Sequence, residues 1–174
     1  MEYWDVTDET GRKIAPPVPK GSIYAPGTYH LAVELWLINP AGEVLLQKRA
    51  PGCEIMPGLW ALTTGRVQAG EDSAAGCIRE AREELGLALS PKQLIPIYRV
   101  ARPEERMIWQ VYLAWYEVHE QDMRLQKEEV AAVRWAKIAD LLRMAKRGQA
   151  VFYPELPQVA DLVCRHYQAG TGRG

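Results

Sequence analysis

The sequence predicts an α+β domain, one mixed β-sheet with helices packed on both faces. Three observations point there. Short runs rich in Val, Leu, Ile and Trp recur between Gly, Pro and Asn turns over much of the chain. A helical stretch with separate apolar and acidic stripes interrupts those runs over residues 72–85. Two further helical stretches close the chain. The 174 residues suit one buried core, and no repeat or linker divides them.

Each element has a local reason. Tyr3 to Val6 is a short strand ended by the turn Thr10-Gly11. Pro16, Pro17 and Pro19 follow and cannot donate to a ladder, so residues 1–28 read as an N-terminal extension or edge element packing on the domain. His30 to Ile38 and Glu43 to Arg49 are strands joined at Asn39-Pro40-Ala41-Gly42, which suggests a hairpin. Ala50 to Gly58 is a loop and Leu59 to Thr64 a strand. Asp72-Ser73 caps a helix that stops at Gly86, a suitable residue just past a helix end. Leu94 to Val100 and Ile108 to Val118 flank the charged turn 102–106. Ala131 to Trp135 is the last strand, followed by helices from Ile138 to Lys146 and Leu156 to Tyr167. The domain proper spans 29–168, and residues 169–174 are expected to be a disordered tail.

Composition limits the function. Apolar residues make up 48% and charged residues 25%, as in ordinary globular proteins. The 21 basic and 22 acidic side chains nearly cancel, which argues against a nucleic acid polymer as partner. A small anionic ligand stays compatible, because one local metal site supplies the needed charge. Cys53, Cys77 and Cys164 are an odd set at no metal-ligand spacing, which favours a reducing compartment. The N-terminus lacks a signal-peptide pattern, and no run approaches the roughly 20 apolar residues of a membrane span. These readings make a cytoplasmic protein with no membrane partner the expectation.

The chemistry concentrates in residues 65–87. On a helix Glu80, Glu83 and Glu84 share one stripe, while Ala74, Cys77, Ile78, Ala81 and Leu85 form an apolar stripe beside it. Alternating Arg and Glu is ordinarily just a solvated helix face. Three adjacent carboxylates nevertheless repel one another unless a cation is near. Mg²⁺ takes such oxygen ligands together with substrate phosphates. Arg79 is placed to orient one of the carboxylates.

The segment resembles the Nudix box, G-x5-E-x7-R-E-U-x-E-E-x-G-U, where U is a bulky aliphatic residue. Gly65, Glu71, Arg79, Glu80, Glu83, Glu84, Gly86 and Leu87 satisfy it at the required spacing. A chance match of its Gly, Glu and Arg positions is expected on the order of once in 10⁶ chains of this size. Ala81 departs from the aliphatic position, and Thr64 replaces a glycine often found there. The flanks Val44 to Arg49, Pro57 to Trp60 and Val133 to Trp135 also resemble the family, extending the likeness from about Tyr29 to Leu142.

The resemblance implies a hydrolase that cleaves the diphosphate linkage of a nucleoside diphosphate derivative by water attack at phosphorus. Mg²⁺, with Mn²⁺ as substitute, would sit on Glu80, Glu83, Glu84 and the carbonyl of Gly65. Glu71, Arg79 and Gly86 would hold the loop and helix together. Glu80 is one candidate base, and Glu128 or Glu129 the other. Arg49 is the strand-end cation chosen for phosphate contact, and Trp36, Trp60 and Trp109 are candidate stacking surfaces. A homodimer is a family-level expectation. The run Trp4 to Gly11 and His30 resemble the opening of isopentenyl-diphosphate isomerase, which shares the fold. That enzyme needs a Cys and a His just before the box, where this chain has Trp60 to Arg66 with neither. A non-catalytic nucleotide-binding module is the remaining alternative, although such modules usually lose a box carboxylate.

Overall fold

Strand β3 (His30–Ile38) is the axis of the fold, and its sequence explains why. Its two faces are both apolar, so it belongs at a sheet centre covered on each side. Val33, Leu35 and Leu37 point to one face, and Trp36 and Ile38 to the other, all at most 2% exposed. β8 (Met107–Trp115) pairs with β3 in parallel along its whole length, from His30↔Met107 to Ile38↔Trp115. β7 (Ile95–Arg102) lies antiparallel on β8, with an irregularity between Pro96 and Tyr98. The computed structural model describes residues 1–171.

The predicted hairpin is only partly closed. β3 and β4 (Glu43–Arg49) share the single register pair Ile38↔Val44 among the described residues. Beyond it the strands take different partners. β4 pairs with β9 (Val130–Lys137) and with β5 (Trp60–Ala61). β3 pairs instead with β6 (Thr63–Arg66). The stretch read as one strand, Leu59 to Thr64, is therefore two short strands serving two halves of the sheet. That divergence leaves room for a cleft between the halves.

Helices cover both faces of the sheet. α1 (Ser73–Leu85) lays Cys77, Ala81 and Leu85 on Val33, Leu35, Leu37 and Leu45. Ala81 is fully buried there, so the small residue meets the sheet closely. Asp72 caps the helix by accepting the Ala75 N–H at 2.8 Å. Gly86 ends it at φ 71°, where a β-carbon would stand 2.7 Å from that of Arg124. α2 (Ile138–Lys146) and α3 (Leu156–Thr171) cover the other face through Leu141, Leu156, Val159 and Val163. Each such buried aliphatic side chain contributes about 1.5–3 kcal/mol. α3 runs beyond the expected end at Tyr167, so Ala169, Gly170 and Thr171 are helical rather than disordered. The cause is packing of this turn on the sheet. Tyr167 stacks on Trp115 at 5.6 Å, and a β-carbon at Gly170 would lie 3.0 Å from the same indole. Gly172, Arg173 and Gly174 of the expected tail lie outside the described residues.

Residues 1–28 form a two-stranded ribbon, β1 (Tyr3–Thr7) and β2 (Lys13–Pro19), with the prolines on an exposed strand. Thr7 and Tyr29 exchange backbone hydrogen bonds of 2.8 Å. The Ala69 N–H donates to the Tyr3 carbonyl, and the Gly70 N–H to Asp5 Oδ2. The ribbon is thus tied to the loop that leads into α1. Trp4 stacks on His30 at 5.1 Å, and Tyr24 covers the same ring. Burial, with the Arg66 charge, holds the His30 pKa down at about 4. Among the described residues no helix is long and apolar enough to cross a membrane.

Candidate active site

A cleft of about 1120 Å³ opens where β3 and β4 part. Glu80, Glu83 and Glu84 of α1 line it, with Gly65 and Arg66 of β6 and Arg49 at the end of β4. Glu128 and Glu129, just before β9, complete that wall. Residues predicted from four separate segments therefore meet in one place.

Arg79 organises the acidic side. Its Nε donates to Glu71 Oε1 at 2.9 Å, and its terminal nitrogens to Glu80 Oε1 at 2.8 Å and Glu83 Oε2 at 3.0 Å. It also donates to the Arg66 carbonyl at 2.9 Å, which fixes α1 against β6. Burial pulls the guanidinium pKa down, but the Glu71 hydrogen bonds and the Glu80 charge outweigh it and push it up. Glu71 accepts the Gln68 N–H as well, so it closes the loop before the helix.

Carboxyl groups outnumber cations on this wall. Burial pushes Glu80 up, with Glu83 adding to the shift and Arg79 opposing it. Glu84 is pushed up to about 8, first by burial and then by Glu80 and Glu129, against a 2.8 Å hydrogen bond from Gln47. Gly65 has a steric reason to be glycine, since a β-carbon there would fall 2.1 Å from the carboxyl carbon of Glu80. Among the described residues no three His, Cys, Asp or Glu side chains stand close enough to hold a metal ion. Arg79 bridges Glu80 and Glu83, and Gln47 holds Glu84. The donor set still fits a hard divalent cation, being all oxygen, with two carboxyls raised chiefly by burial and further by neighbouring carboxylates.

The remaining predicted residues divide. Arg49 lines the cleft while its Nε donates to the Ile55 carbonyl at 2.7 Å. Glu129 lines it too, with the Cys53 thiol 3.5 Å from Oε2. Trp109 faces the cleft. Trp60 does not contribute to the lining, which corrects its expected role. The Arg134 guanidinium covers its ring at 4.2 Å, and the indole packs against the core under α2 and α3. Trp36 is fully buried. Cys77 is inert packing, its thiol pushed up to about 12 by burial.

Several cleft residues escaped the sequence reading. Gln47 lies behind the wall and holds Glu84; it has the same strand parity as Leu45 and Arg49, and that alternation was the available signal. Arg66 stacks on Trp4 at 4.3 Å and has no ion pair among the described residues, so it presents a free cation to the cleft. Glu34 interrupts an otherwise apolar strand, which is itself a signal. Nothing local marks Tyr153 or Arg102, because α3 and the sheet bring them together.

Comparison with known proteins agrees with this geometry. The family model described as the NUDIX domain matches residues 28–156. An uncharacterised Nudix hydrolase of Listeria monocytogenes is 31% identical over 165 residues, covering 93% of this chain and 95% of its own. Nudix hydrolase 3 of Arabidopsis thaliana is 27% identical over 98% of this chain, which spans only 24% of that larger protein. An isopentenyl-diphosphate Δ-isomerase of Shigella flexneri is 32% identical over 139 residues, 74% of this chain and 76% of its own. A crystal structure from Deinococcus radiodurans superposes with a TM-score of 0.73 at 21% identity, covering 94% of this chain and 98% of the other. Sequence kinship, fold and box geometry all agree, and the chain belongs to the Nudix hydrolase family.

Proposed function

We propose that this Nudix pyrophosphohydrolase is Mg²⁺-dependent and cleaves the diphosphate linkage of a nucleoside diphosphate derivative by attack of water at phosphorus. The observation that carries the reading is the convergence of Glu80, Glu83 and Glu84 on one cleft wall with the Gly65 backbone, packed so closely that a β-carbon at residue 65 would collide with Glu80. Bound to Glu80, Glu83, Glu84 and the Gly65 carbonyl, Mg²⁺, with Mn²⁺ as a substitute, would neutralise the diphosphate and acidify water. Arg49 and Arg66 hold phosphate oxygens from the two sides of the cleft. Arg79 keeps Glu80 and Glu83 oriented and remains charged. Glu129 is the favoured proton acceptor, because its carboxylate is not tied to Arg79 as that of Glu80 is. The substrate is a small molecule, and the active protein is cytoplasmic and forms a homodimer.

The likeness to an isomerase supports a second reading, conversion of isopentenyl diphosphate. Here β6 offers Thr64, Gly65 and Arg66 to the cleft, a hydroxyl and a guanidinium in place of thiol and imidazole. Incubation with isopentenyl diphosphate should therefore yield no dimethylallyl diphosphate.

The deciding experiment is phosphate release with Mg²⁺ across nucleoside triphosphates, ADP-ribose, nucleotide sugars and dinucleotides. Glu83→Gln and Glu84→Gln should lower kcat by about a hundredfold or more while the thermal midpoint stays near that of the parent. Parental rates in either variant would remove that residue from the site.

A further inference from the structure

A second cavity, of about 440 Å³, lies outside the catalytic cleft and shares none of its lining residues. It sits where β9 and the edge of β4 meet one face of α2. Lys137, Asp140, Arg143 and Arg147 line it at helical spacings of three and four, with Arg134 from β9 and Glu43 from β4. Four cations therefore face two carboxylates, in a chain whose net charge is −1.

The two carboxylates leave most of that positive charge unanswered. Asp140 is paired with Arg143. Glu43 accepts the Asn39 side-chain amide at 3.0 Å, and although Lys137 stands opposite it across β4 and β9, the two form no ion pair. Among the described residues no carboxylate pairs with Arg134 or Arg147 either. Arg134 is the sharpest case. Its guanidinium lies over the Trp60 ring at 4.2 Å, its Nη2 meets the thioether sulfur of Met144, and its Nε is buried with no acceptor. A thioether is a weak acceptor, and burying an unpaired donor is costly.

Helix capping explains only part of the cluster. Arg143 and Arg147 stand at the C-terminal end of α2, where cations offset the helix dipole. Lys137 is the residue at the opposite, N-terminal end, where the same dipole disfavours a cation. Arg134 comes from a strand. Cations from both ends of the helix and from the strand beside it thus converge on one concavity, whose size is that of a small-ligand site rather than of a flat macromolecular contact. The planar guanidinium fork matches the oxygens of a phosphate.

We propose that this cavity is a second binding site, separate from the catalytic cleft, for a phosphate group, either free or carried by a small organic molecule. Arg134 receives the phosphate from the floor, and Lys137 and Arg147 close on it from the exposed rim, while Arg143 stays with Asp140. The anion meets cations directly, so binding needs no divalent metal, in contrast to the carboxylate wall of the cleft. Trp60 reports on occupancy. Its ring lies under the Arg134 guanidinium, and its backbone N–H donates at 3.1 Å to the carbonyl of Gln149, which also lines the cavity.

The test separates this site from the catalytic one. Binding of inorganic phosphate, pyrophosphate and glycerol 3-phosphate to the full chain is measured by calorimetry in EDTA at fixed ionic strength, with tryptophan fluorescence followed in parallel. At least one probe should bind. Tighter binding of the ester marks an organic phosphate as the ligand, and tighter binding of phosphate or pyrophosphate marks the free anion. Arg134→Gln should weaken binding about tenfold and Arg147→Gln about threefold. Arg49→Ala and Arg66→Ala, in the catalytic cleft, should leave it unchanged. Trp60→Phe should lose the fluorescence change and keep the heat of binding. Circular dichroism checks the folds, and Arg147 is exposed, so its variant keeps the test open if the Arg134 variant unfolds. Absence of binding, or binding matched by chloride, overturns the proposal. Binding that falls in the Arg49 or Arg66 variants and not in the Arg134 and Arg147 variants belongs to the catalytic cleft, and overturns it as well.

Discussion

Two arginines organise the two linings of the cleft, and they do so from opposite kinds of sequence. Arg79 and Arg102 are almost equally buried, 18% and 15% exposed at the side chain. The partners of Arg79 are Glu71, Glu80 and Glu83, all within the same short stretch of chain. Arg102 meets Glu105 across a turn, Glu155 from the start of α3, and the rings of Trp109 and Tyr153. One is a local clamp that concentrates charge, and the other a long-range brace that cancels it. The contrast teaches that the acidic wall of this cleft is built by a helix, whereas the wall around Arg102 is built by the fold.

That comparison breaks most visibly when each arginine is removed. Arg79→Ala strands partly buried Glu71 and Glu80 without a counter-charge and should cost about 3 kcal/mol of stability. Because the loss is electrostatic, millimolar Mg²⁺ should restore part of it in thermal melts. Arg102→Ala should cost about 1–2 kcal/mol, since Glu105 is 40% exposed and can turn to water. It should gain nothing from Mg²⁺. Equal metal responses in the two variants would erase the distinction between the walls.

The same contrast explains what was legible in the sequence. The box could be read because its residues share one helix, where a spacing of three or four fixes a common face. The central strand, the helix from Asp72 to Gly86 and the last two helices were legible for the same local reason. Arg49 followed from alternation along β4. The splaying of β3 from β4 was not legible, because Asn39 to Gly42 looks like any hairpin turn and the competing partners β6, β8 and β9 are far along the chain. Trp60 was misplaced because no pattern announces that Arg134, on β9, will cover it. The end of α3 was set by Trp115, again a distant residue. Glu34 did leave a trace, a lone charge among Leu, Ala, Val and Trp, but its partner Tyr153 lies 119 positions on.

A smaller and sharper test sits at Gly65. An added β-carbon would fall 2.1 Å from the Glu80 carboxyl carbon, so Gly65→Ala must push that side chain out of its place. The backbone there is not in the left-handed region, so the substitution itself introduces no strain beyond that collision. Activity with Mg²⁺ should fall about thirtyfold to a hundredfold, while the thermal midpoint changes little. A large loss of stability as well would mean that the collision spreads beyond the Glu80 side chain.

The smallest expected effect, on the Arg102 side of the cleft, is the pH dependence of stability at Glu34. Burial raises this carboxyl above its ordinary value, and the bonds from Tyr153 and Trp36 only partly oppose the rise. A folded-state pKa above the unfolded one means that the native state binds more protons in between. Stability is then fully present below the unfolded pKa, near 4.5, and is lost as pH climbs through the folded value. Glu34→Gln keeps an oxygen for Trp36 and Tyr153 and removes the ionisation. Its melting midpoint relative to the parent should therefore rise steadily from pH 4.5 to pH 8 in thermal scans. A parallel pH profile in the two proteins would show instead that Glu34 binds its proton alike in the folded and unfolded chain.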